Sequence, residues 1–495
     1  MPWPRRRRSA TPSWGRGAPR PAVRPGLVDA GRGRLRRRAR WPGPAVSPGG
    51  DGAPLRRGDR PVERLVRPAR RLRGTVTPPG DKSISHRAAI LNAIASGPAT
   101  VDNFQRGADC LATLRCLRLL GVPWRWQGPD TLRIEGVGPH GLREPPAPLD
   151  CRNSGTTMRL LAGLLAPQPF FSVLTGDASL RSRPMGRVVE PLRLMGAEVW
   201  GRQGGSLAPL AVQGRPLRGI HYRLPMASAQ VKSALLLAGL YAEGETTLVE
   251  PAPSRDHTER MLRAMGAPLQ ESEVGISVRP LGDGLRPLSL VVPGDISAAA
   301  YWLVAALVHP DAEVRVEGVG VNPTRTGILD ALRLMGADIR LENETVRGGE
   351  PVADLIARSS RLRGIVVSGE LIPRLIDEIP VLALAALHAE GETVVRDAAE
   401  LRAKESDRLR TTAQELRRLG GDIEELPDGL RIRGGRRLQG GKVRSHGDHR
   451  LAMTLAVAGL VAQGETIISN YEAVVVSYPR FWDELDRLCG GGGED

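Results

Sequence analysis

Lysine is scarce in this chain and is concentrated in short polar motifs. The 495-residue sequence contains 66 arginines but four lysines, and Lys82, Lys232 and Lys404 lie in or beside runs of small polar and acidic residues. In a composition that disfavours lysine, a retained one indicates a need for a compact ammonium group instead of a planar guanidinium. The fourth, Lys442, lies in a glycine-rich turn that does not match a phosphate-binding P-loop.

Five polar motifs stand directly before apolar segments that are predicted to be helices. They are PGDKSISHR at 79–87, RNSGTTMR at 152–159, MASAQ at 226–230, PGDIS at 293–297 and GDHR at 447–450. Helix amino termini carry unpaired N–H groups and partial positive charge, so they favour anions. An ordinary N-cap is the simpler interpretation of any one motif. Five together, three of them with Lys or Arg, predict a cleft between two domains for a heavily anionic small substrate.

Carboxylates in two further motifs are candidates for proton transfer. Asp377 and Glu378 lie in LIDEIP, before a predicted helix. Glu405 lies between Lys404 and Arg408 in AKESDR. A carboxylate flanked by cations stays ionised unless it is buried, and it can then move a proton to or from a substrate. The alternative is an exposed ion pair on a helix surface. No metal site is expected, because the histidines are scattered and the cysteines are not at ligand spacing.

The pattern LRxxG recurs along the chain with a period near 70 residues. Its clean copies begin 75, 70, 70 and 84 residues apart, at Leu117, Leu192, Leu262, Leu332 and Leu416. A degraded copy lies at 485–490. Each copy predicts the last turn of an amphipathic helix that ends at a glycine, in most cases with a strand after it.

Six apolar segments alternate with these copies and are predicted to be helices buried on all sides. They are residues 88–95, 158–166, 231–242, 297–308, 379–389 and 451–462. The repeating unit is therefore a buried helix, a strand, an amphipathic helix and a strand. Six units of this size predict an α/β protein of two domains with three repeats each.

The positive charge of the chain is concentrated in its first 66 residues. The net charge is +16, of which residues 1–66 carry +13 and the rest +3. This segment is rich in Arg, Pro and Gly without periodicity, so we expect a disordered tail or upstream sequence translated from a misplaced start. Nucleic-acid binding through the tail is the alternative function, but the small charge of the remaining chain does not favour it. No apolar run is long enough for a membrane helix. The four cysteines form no CxxC pair and are too few for a disulfide scaffold, which favours a reducing, cytoplasmic setting.

Taken together, eight motifs resemble those of the 5-enolpyruvylshikimate-3-phosphate synthase family (3-phosphoshikimate 1-carboxyvinyltransferases). The motifs are PGDKSISHR, NSGTTMR, SRPM, SAQVKSA, SRDHTERM, LIDEIP, AKESDRL and GDHRLAM. The resemblance runs from about residue 68 to about residue 488. It implies the two-domain enolpyruvyl transferase fold, with three βαβαββ-type repeats in each domain. We place one domain at 67–80 plus 294–495, the other at 81–293, and the tail at 1–66.

The resemblance also implies an activity, namely transfer of the enolpyruvyl group of phosphoenolpyruvate to the 5-hydroxyl of shikimate 3-phosphate. No cofactor or metal is required, and a cytoplasmic monomer is expected. By motif match, the residues implied at shikimate 3-phosphate are Lys82, Ser83, Arg87, Ser228, Ala229, Gln230, Arg255, Asp377 and Lys404. Those implied at phosphoenolpyruvate are Lys82, Gly155, Arg183, Gln230, Arg408 and Arg450. The implied catalytic residues are Asp377 as the base at the hydroxyl, Glu405 at the methylene carbon, and Lys82.

One residue departs from the pattern of many relatives, which carry a lysine where this chain has Val476. The corresponding phosphoenolpyruvate contact is therefore missing or supplied elsewhere, with Arg480 as a candidate. Gly155 predicts sensitivity to glyphosate, because alanine there would crowd analogues of phosphoenolpyruvate. The alternative enzyme is the enolpyruvyl transferase acting on UDP-N-acetylglucosamine, which has a Lys-Asn pair where this chain has Lys82 and Ser83.

Overall fold

Six apolar helices are buried in the computed structural model, which describes residues 62–282 and 284–490. They are α1 (Lys82–Ala93), α3 (Gly155–Leu165), α5 (Ala229–Gly239), α7 (Ile296–Val308), α10 (Ile379–Leu387) and α12 (His449–Val461). Four begin at an Asp or Ser whose side chain accepts a hydrogen bond from a backbone N–H of the first turn. Most begin earlier than predicted, so the polar motifs extend into the helices. Lys82 and Gly155, for instance, are the first residues of α1 and α3.

Amphipathic helices alternate with the buried ones, as the LRxxG copies predict. They are α2 (Ala108–Leu119), α4 (Gly186–Leu194), α6 (His257–Ala264), α8 (Gly327–Leu334), α11 (Arg408–Arg418) and α13 (Phe481–Gly490), with a short α9 (Leu371–Leu375) before α10. The glycines of the five clean copies all have φ between 81° and 100°. This left-handed conformation suits glycine, and each of these glycines stops its helix from the second position after the last helical residue.

The strands of the described residues form six small sheets, and each sheet has one parallel pair while its other pairs are antiparallel. The three-stranded sheet has the hydrogen-bonding order Glu63–Val66, Thr466–Ser469, Lys442–Arg444. The four-stranded sheets from the middle of the chain have the orders His221–Arg223, Thr246–Val249, Gly275–Val278, Leu269–Ser272; and Leu290–Val291, Ser96–Asp102, Leu132–Val137, Trp124–Trp126. The other four-stranded sheets have the orders Asp338–Arg347, Glu350–Arg358, Ala312–Gly320, Leu72–Val76; Val366–Val367, Glu392–Val395, Gly429–Arg433, Asp422–Leu426; and Leu149–Asp150, Phe171–Thr175, Leu207–Gln213, Glu198–Arg202. The last sheet with α3 and α4 shows the βαβαββ unit in full.

Two strands pair with partners that are distant in the sequence, and these pairings divide the six repeats into two groups of three. Leu72–Val76 precedes α1 but pairs with Ala312–Gly320, whereas Leu290–Val291 precedes α7 but pairs with Ser96–Asp102. The buried apolar side chains correspondingly form two clusters. One runs from Ile84 to Val292, and the other combines Val66, Leu72 and Val76 with residues from Ile296 onwards.

The predicted tail at 1–66 extends a few residues too far, because its last four residues form a strand. Glu63–Val66 forms a strand antiparallel to Thr466–Ser469, and the Val66 side chain is buried in the second cluster. Alternating burial along this short segment was hidden by its arginine-rich surroundings. Residues 1–61 of the predicted tail lie outside the described residues. Among the helices of the described part, none combines the length and apolar character needed to span a bilayer.

Candidate active site

The amino termini of several helices meet at one cavity. Its wall includes first-turn or capping residues of α1, α3, α5, α7, α11 and α12, together with the segment just before α10. Thirteen of the fourteen site residues implied by the resemblance line this cavity: Lys82, Ser83, Gly155, Arg183, Ser228, Ala229, Gln230, Arg255, Asp377, Lys404, Glu405, Arg408 and Arg450. The topology thus brings residues up to 368 positions apart in the sequence to a single site.

Cationic side chains dominate the cavity wall. Nine line it: Lys82, Arg159, Arg183, Arg187, Arg255, Arg325, Lys404, Arg408 and Arg450. Five acidic side chains accompany them: Asp109, Asp295, Asp377, Glu400 and Glu405. The formal excess of four positive charges and the helix amino termini both favour a ligand with several negative charges.

Lys82 is the first residue of α1 and is anchored by an acidic partner. Its Nζ lies 3.1 Å from Asp109 Oδ2, and the cap of the helix is the Asp81 carboxylate, which accepts a hydrogen bond from the Ile84 N–H at 2.9 Å. Burial opposes ionisation of Lys82, but attraction to Asp109 and Glu405 outweighs it and raises the pKa of the lysine. Lys82 is therefore a fixed cation at neutral pH.

Asp377 lies among four cations just before α10. Arg255 contacts it most closely, Arg408 Nη1 lies 3.2 Å away, and Lys404 Nζ and Arg450 Nη2 each lie 3.7 Å away. Burial alone would raise the pKa of Asp377, but the attraction of Arg450 and Lys404, followed by the two other arginines, holds it well below its usual range. Asp377 is an ionised carboxylate and can accept a proton.

Glu405 contacts Arg408, the arginine whose other terminal nitrogen lies beside Asp377. Arg408 Nη2 donates a hydrogen bond to it, and Arg183 Nη1 lies 3.6 Å from its Oε1. Burial tends to raise the pKa of Glu405, but Arg408 and Arg183 outweigh this effect and hold the pKa well below the usual range. The expected alternative of an exposed surface pair is wrong, since the Arg408 side chain is 2% exposed and that of Glu405 is 16% exposed.

The first turns of α3 and α5 are joined by a hydrogen-bonded amide. Gln230 donates to Thr156 Oγ1 at 2.9 Å and accepts from Arg159 Nη1 at 2.5 Å. Burial, with repulsion from Arg187 and Arg183, lowers the pKa of Arg159 to about 9. An anion bound beside these three arginines would relieve their mutual repulsion, which is further support for an anionic ligand.

Arg87 is the one implied residue that the structure does not bring to the cavity wall. Its guanidinium donates to Thr258 Oγ1 at 2.6 Å, to Ser233 Oγ at 2.7 Å and to the Ser83 carbonyl at 3.0 Å. It therefore supports α5 and α6 from within α1, behind Ser83, which does line the cavity.

Three arginines of the wall were missed by the sequence reasoning: Arg159, Arg187 and Arg325. Arg159 lies inside the quoted RNSGTTMR motif, one helical turn after Gly155, and Arg187 follows Arg183 by four residues. Spacing of one turn from a predicted site residue was therefore an available signal for both. Arg325, by contrast, follows no motif, and in a chain with 66 arginines its residue type carries little information.

The expected replacement of the missing lysine is not supported. Neither Val476 nor Arg480 lines the cavity. The Arg480 side chain, just before α13, is 68% exposed and lies 3.9 Å from Glu484 of that helix. Arg159, Arg187 and Arg325 are the additional cations of the wall. Among the described residues there is no group of three or more His, Cys, Asp or Glu side chains that could hold a metal ion.

The architecture is that of the enolpyruvyl transferases. The crystal structure of the enolpyruvyl transferase NikO from Streptomyces tendae matches this structure with a TM-score of 0.70 and 21% sequence identity, covering 87% of this chain and 98% of that chain. At this identity the likeness shows the fold alone, and it confirms the predicted fold class.

Sequence similarity defines the family more narrowly than the fold does, and the chain belongs to the EPSP synthase family. The family model of EPSP synthase (3-phosphoshikimate 1-carboxyvinyltransferase) matches residues 66–485. The 3-phosphoshikimate 1-carboxyvinyltransferase of Roseiflexus sp. (strain RS-1) is 58% identical over 427 residues, which are 86% of this chain and 98% of that protein. The solved EPSP synthase of Acinetobacter baumannii is 46% identical, with a TM-score of 0.77 over 86% of this chain and 98% of that chain.

Proposed function

We propose that this enzyme transfers the enolpyruvyl group of phosphoenolpyruvate to the 5-hydroxyl of shikimate 3-phosphate and releases inorganic phosphate. The observation that carries the proposal is the cavity itself, whose wall carries nine cations together with Asp377 and Glu405. Each substrate has a phosphate and a carboxylate, and several fixed cations are needed to bind four such groups. Membership of the EPSP synthase family supports the same reaction and does not favour UDP-N-acetylglucosamine or nucleic acid as the substrate.

Shikimate 3-phosphate is assigned to the side of the cavity formed by α1, α5 and the segment before α6. Ser228 and Ala229 start α5, so their backbone N–H groups and the Ser228 hydroxyl are suited to a phosphate. Arg255 links this side to the Asp377 carboxylate and lies 3.3 Å from Ser83 Oγ. Arg87 is assigned an indirect role behind Ser83.

Phosphoenolpyruvate is assigned to the side formed by α3, α11 and α12. Arg183, Arg408 and Arg450 are its proposed ligands, with Lys82 and Gln230 between the two substrates. Gly155 begins α3, so its N–H is one of the first-turn donors that have no partner within the helix. Bidentate guanidinium contacts suit both the carboxylate and the phosphate of this substrate.

The proposed reaction is an addition followed by an elimination. Glu405 takes up a proton from solvent once phosphoenolpyruvate is bound. Asp377, next to Lys404, removes the hydroxyl proton as the oxygen bonds to C2 of phosphoenolpyruvate, while Glu405 gives its proton to C3. The C2–O bond to phosphate then breaks, the departing phosphate takes the proton held by Asp377, C3 returns a proton to Glu405, and the vinyl ether forms. Phosphoenolpyruvate neutralises Arg183 and Arg408, the cations that depress the pKa of Glu405. Substrate binding therefore raises that pKa and prepares Glu405 to carry the proton.

We further infer a monomer in the cytoplasm, with the two domains at 67–80 plus 294–495 and at 81–293. The two separate apolar clusters support these boundaries, apart from the strand at Glu63–Val66, which packs with the first of these domains. The four cysteines are free, and three of them are buried, which suits a reducing compartment.

The test is to mix purified protein with both substrates and to measure inorganic phosphate. We expect phosphate only when both substrates are present. Lys82→Ala and Glu405→Gln are the matched controls, and each should release phosphate far more slowly. Full activity in both variants, or release from phosphoenolpyruvate alone, would contradict the proposed function.

A further inference from the structure

We propose that Arg325, Ser297 and Glu378 form a buried positioning network that holds Asp377 and Arg450 in their working arrangement. Arg325 lines the cavity, whereas Ser297 and Glu378 do not. The three residues come from the segment before α8, from α7 and from the start of α10, respectively. The proposal rests on the proposed function, because it assigns a role toward Asp377 and Arg450.

The network is closed off from solvent and depends on one hydrogen-bonded bridge. Arg325 Nη2 donates to Ser297 Oγ at 2.7 Å, and Ser297 Oγ donates to Glu378 Oε1. Arg325 Nη1 lies 3.6 Å from the same Oε1, and the two side chains are 3% and 0% exposed. Within the described residues, this bond to Ser297 is the one hydrogen bond that the Arg325 side chain makes. Ser297 therefore links the two charges.

Glu378 connects this bridge to the proposed catalytic residues. Its Oε1 lies 3.9 Å from Arg450 Nη1, while Arg450 Nη2 lies 3.7 Å from Asp377 Oδ2. Arg450 is thus shared between two consecutive carboxylates. Because Asp377 and Glu378 are adjacent in the chain, anchoring Glu378 also fixes the backbone from which the Asp377 side chain extends.

Asp295 extends the network to Lys82. Its Oδ1 lies 3.5 Å from Arg325 Nη2 and accepts a hydrogen bond from the Ser297 N–H at 2.8 Å. Its Oδ2 accepts a hydrogen bond from the Lys82 N–H at 3.3 Å. Arg325 therefore contacts carboxylates that touch both the start of α1 and the start of α10.

The charges favour positioning over direct substrate binding by Arg325. Two carboxylates, Asp295 and Glu378, face this single guanidinium. The charge of Arg325 is therefore already balanced within the protein before any substrate binds. Loss of Arg325 leaves Glu378 buried with Arg450 as its nearest cation, and Arg450 is then drawn from Asp377 toward Glu378.

The test combines three variants with steady-state kinetics for both substrates. We expect Arg325→Met to lower kcat by about 100-fold, because a displacement of about 1 Å near the reacting atoms has this effect. Arg325→Lys should recover part of the loss. Ser297→Ala keeps all charges and removes the bridge, so it should fold normally and lower kcat by about tenfold. In each case the change in KM should be smaller than the change in kcat.

Glu415→Gln is the matched control, because Glu415 is a fully buried, ion-paired glutamate of α11 that does not line the cavity. It should lower the melting temperature and leave kcat and KM unchanged. If Arg325→Met and Ser297→Ala behave like this control, the network is structural only and the proposal is overturned.

A second measurement separates this proposal from the proposed function. A crystal structure of ligand-free Arg325→Met should show Arg450 moved from Asp377 toward Glu378, whatever the enzyme's substrate. An unmoved Arg450 would overturn the positioning role even if the wild-type enzyme is fully active. An inactive wild-type enzyme would overturn the proposed function instead.

Discussion

Asp377 and Glu405 are held by a single guanidinium, that of Arg408. Nη1 of Arg408 lies 3.2 Å from Asp377 Oδ1, Nη2 donates to Glu405, and Nε donates to Asp448 at 2.8 Å. The two carboxylates proposed for proton transfer are thus fixed relative to each other before any substrate binds. An anionic ligand that pairs with Arg408 therefore raises the proton affinity of both carboxylates.

Glu405→Gln should remove most of the activity. The amide keeps the size of the side chain but cannot carry a proton to and from C3 of phosphoenolpyruvate. We expect kcat to fall by about 100-fold to 10 000-fold, the usual range for loss of a general acid–base group. Phosphate release at saturating substrates measures this, with Glu415→Gln as the control. A decrease of less than about tenfold would assign the proton transfer to another group.

The stability of the ligand-free enzyme should fall in acid partly because of Asp377. Its pKa in the folded state is held well below the ordinary value by Arg450 and Lys404 in spite of burial. A depressed folded pKa stabilises the protein above the unfolded pKa, about 4, and this contribution is lost as the pH falls through the folded pKa.

Asp377→Asn tests this sign. The variant should be less stable than the wild type at pH 7, since four cations lose their shared partner, but it should lose less stability between pH 4 and pH 3. Urea unfolding at both pH values measures the difference. Parallel losses in the two proteins would show that Asp377 is not the titrating group.

Gly155→Ala should weaken the binding of phosphoenolpyruvate. An added Cβ would lie 2.7 Å from Arg159 Nη1, so the Arg159 side chain must shift, and it would also contact Arg183 Nη1 at 3.7 Å. We expect KM for phosphoenolpyruvate to rise by about tenfold, as one extra carbon in a pocket commonly does. Gly282→Ala is the control, because its Cβ would meet no heavy atom within 4 Å.

The same pair of proteins tests glyphosate sensitivity. The wild-type enzyme should be inhibited at concentrations comparable to its KM for phosphoenolpyruvate, and Gly155→Ala should resist. An inhibition constant far above that KM in the wild type would contradict the prediction drawn from Gly155.

Val66→Ala should destabilise the fold although Val66 lies in the segment expected to be disordered. Its side chain is 2% exposed and packs against α12 at Gly459. Removing two buried methyl groups should lower the free energy of unfolding by about 2 kcal/mol. Leu65→Ala, at the neighbouring residue that is 38% exposed, should have little effect. Equal unfolding midpoints for both variants would contradict the strand at Glu63–Val66.

The repeats were predictable because their signals are local. A glycine in the left-handed conformation after LRxx and an apolar helix of about three turns can both be read from a short window of sequence. The helix starts were less predictable. Lys82 and Ser83 are polar because they face the cavity, and in the sequence they look like residues of a loop. Glu63–Val66 was missed because its pairing partner is about 400 residues away.

The site residues that belong to specific motifs were predictable from the sequence. The direction of a side chain and its contacts with distant residues were not, because they depend on the tertiary structure. Thirteen implied residues line one cavity, yet the sequence does not reveal that Arg87 turns toward Thr258 and Ser233. Arg325 is equally hidden, since its partners Ser297 and Glu378 are 28 and 53 residues away in the chain. Side-chain direction within a helix turn and contacts between repeats require the folded structure.

The most direct measurement is to follow the two substrates by ¹H and ³¹P NMR in one sample that contains both shikimate 3-phosphate and UDP-N-acetylglucosamine as acceptors. We predict that the phosphoenolpyruvate phosphorus signal is converted to inorganic phosphate while the vinyl protons appear on shikimate 3-phosphate, in equal amounts. Vinyl protons on UDP-N-acetylglucosamine, or phosphate release without transfer of the vinyl group, would contradict the account.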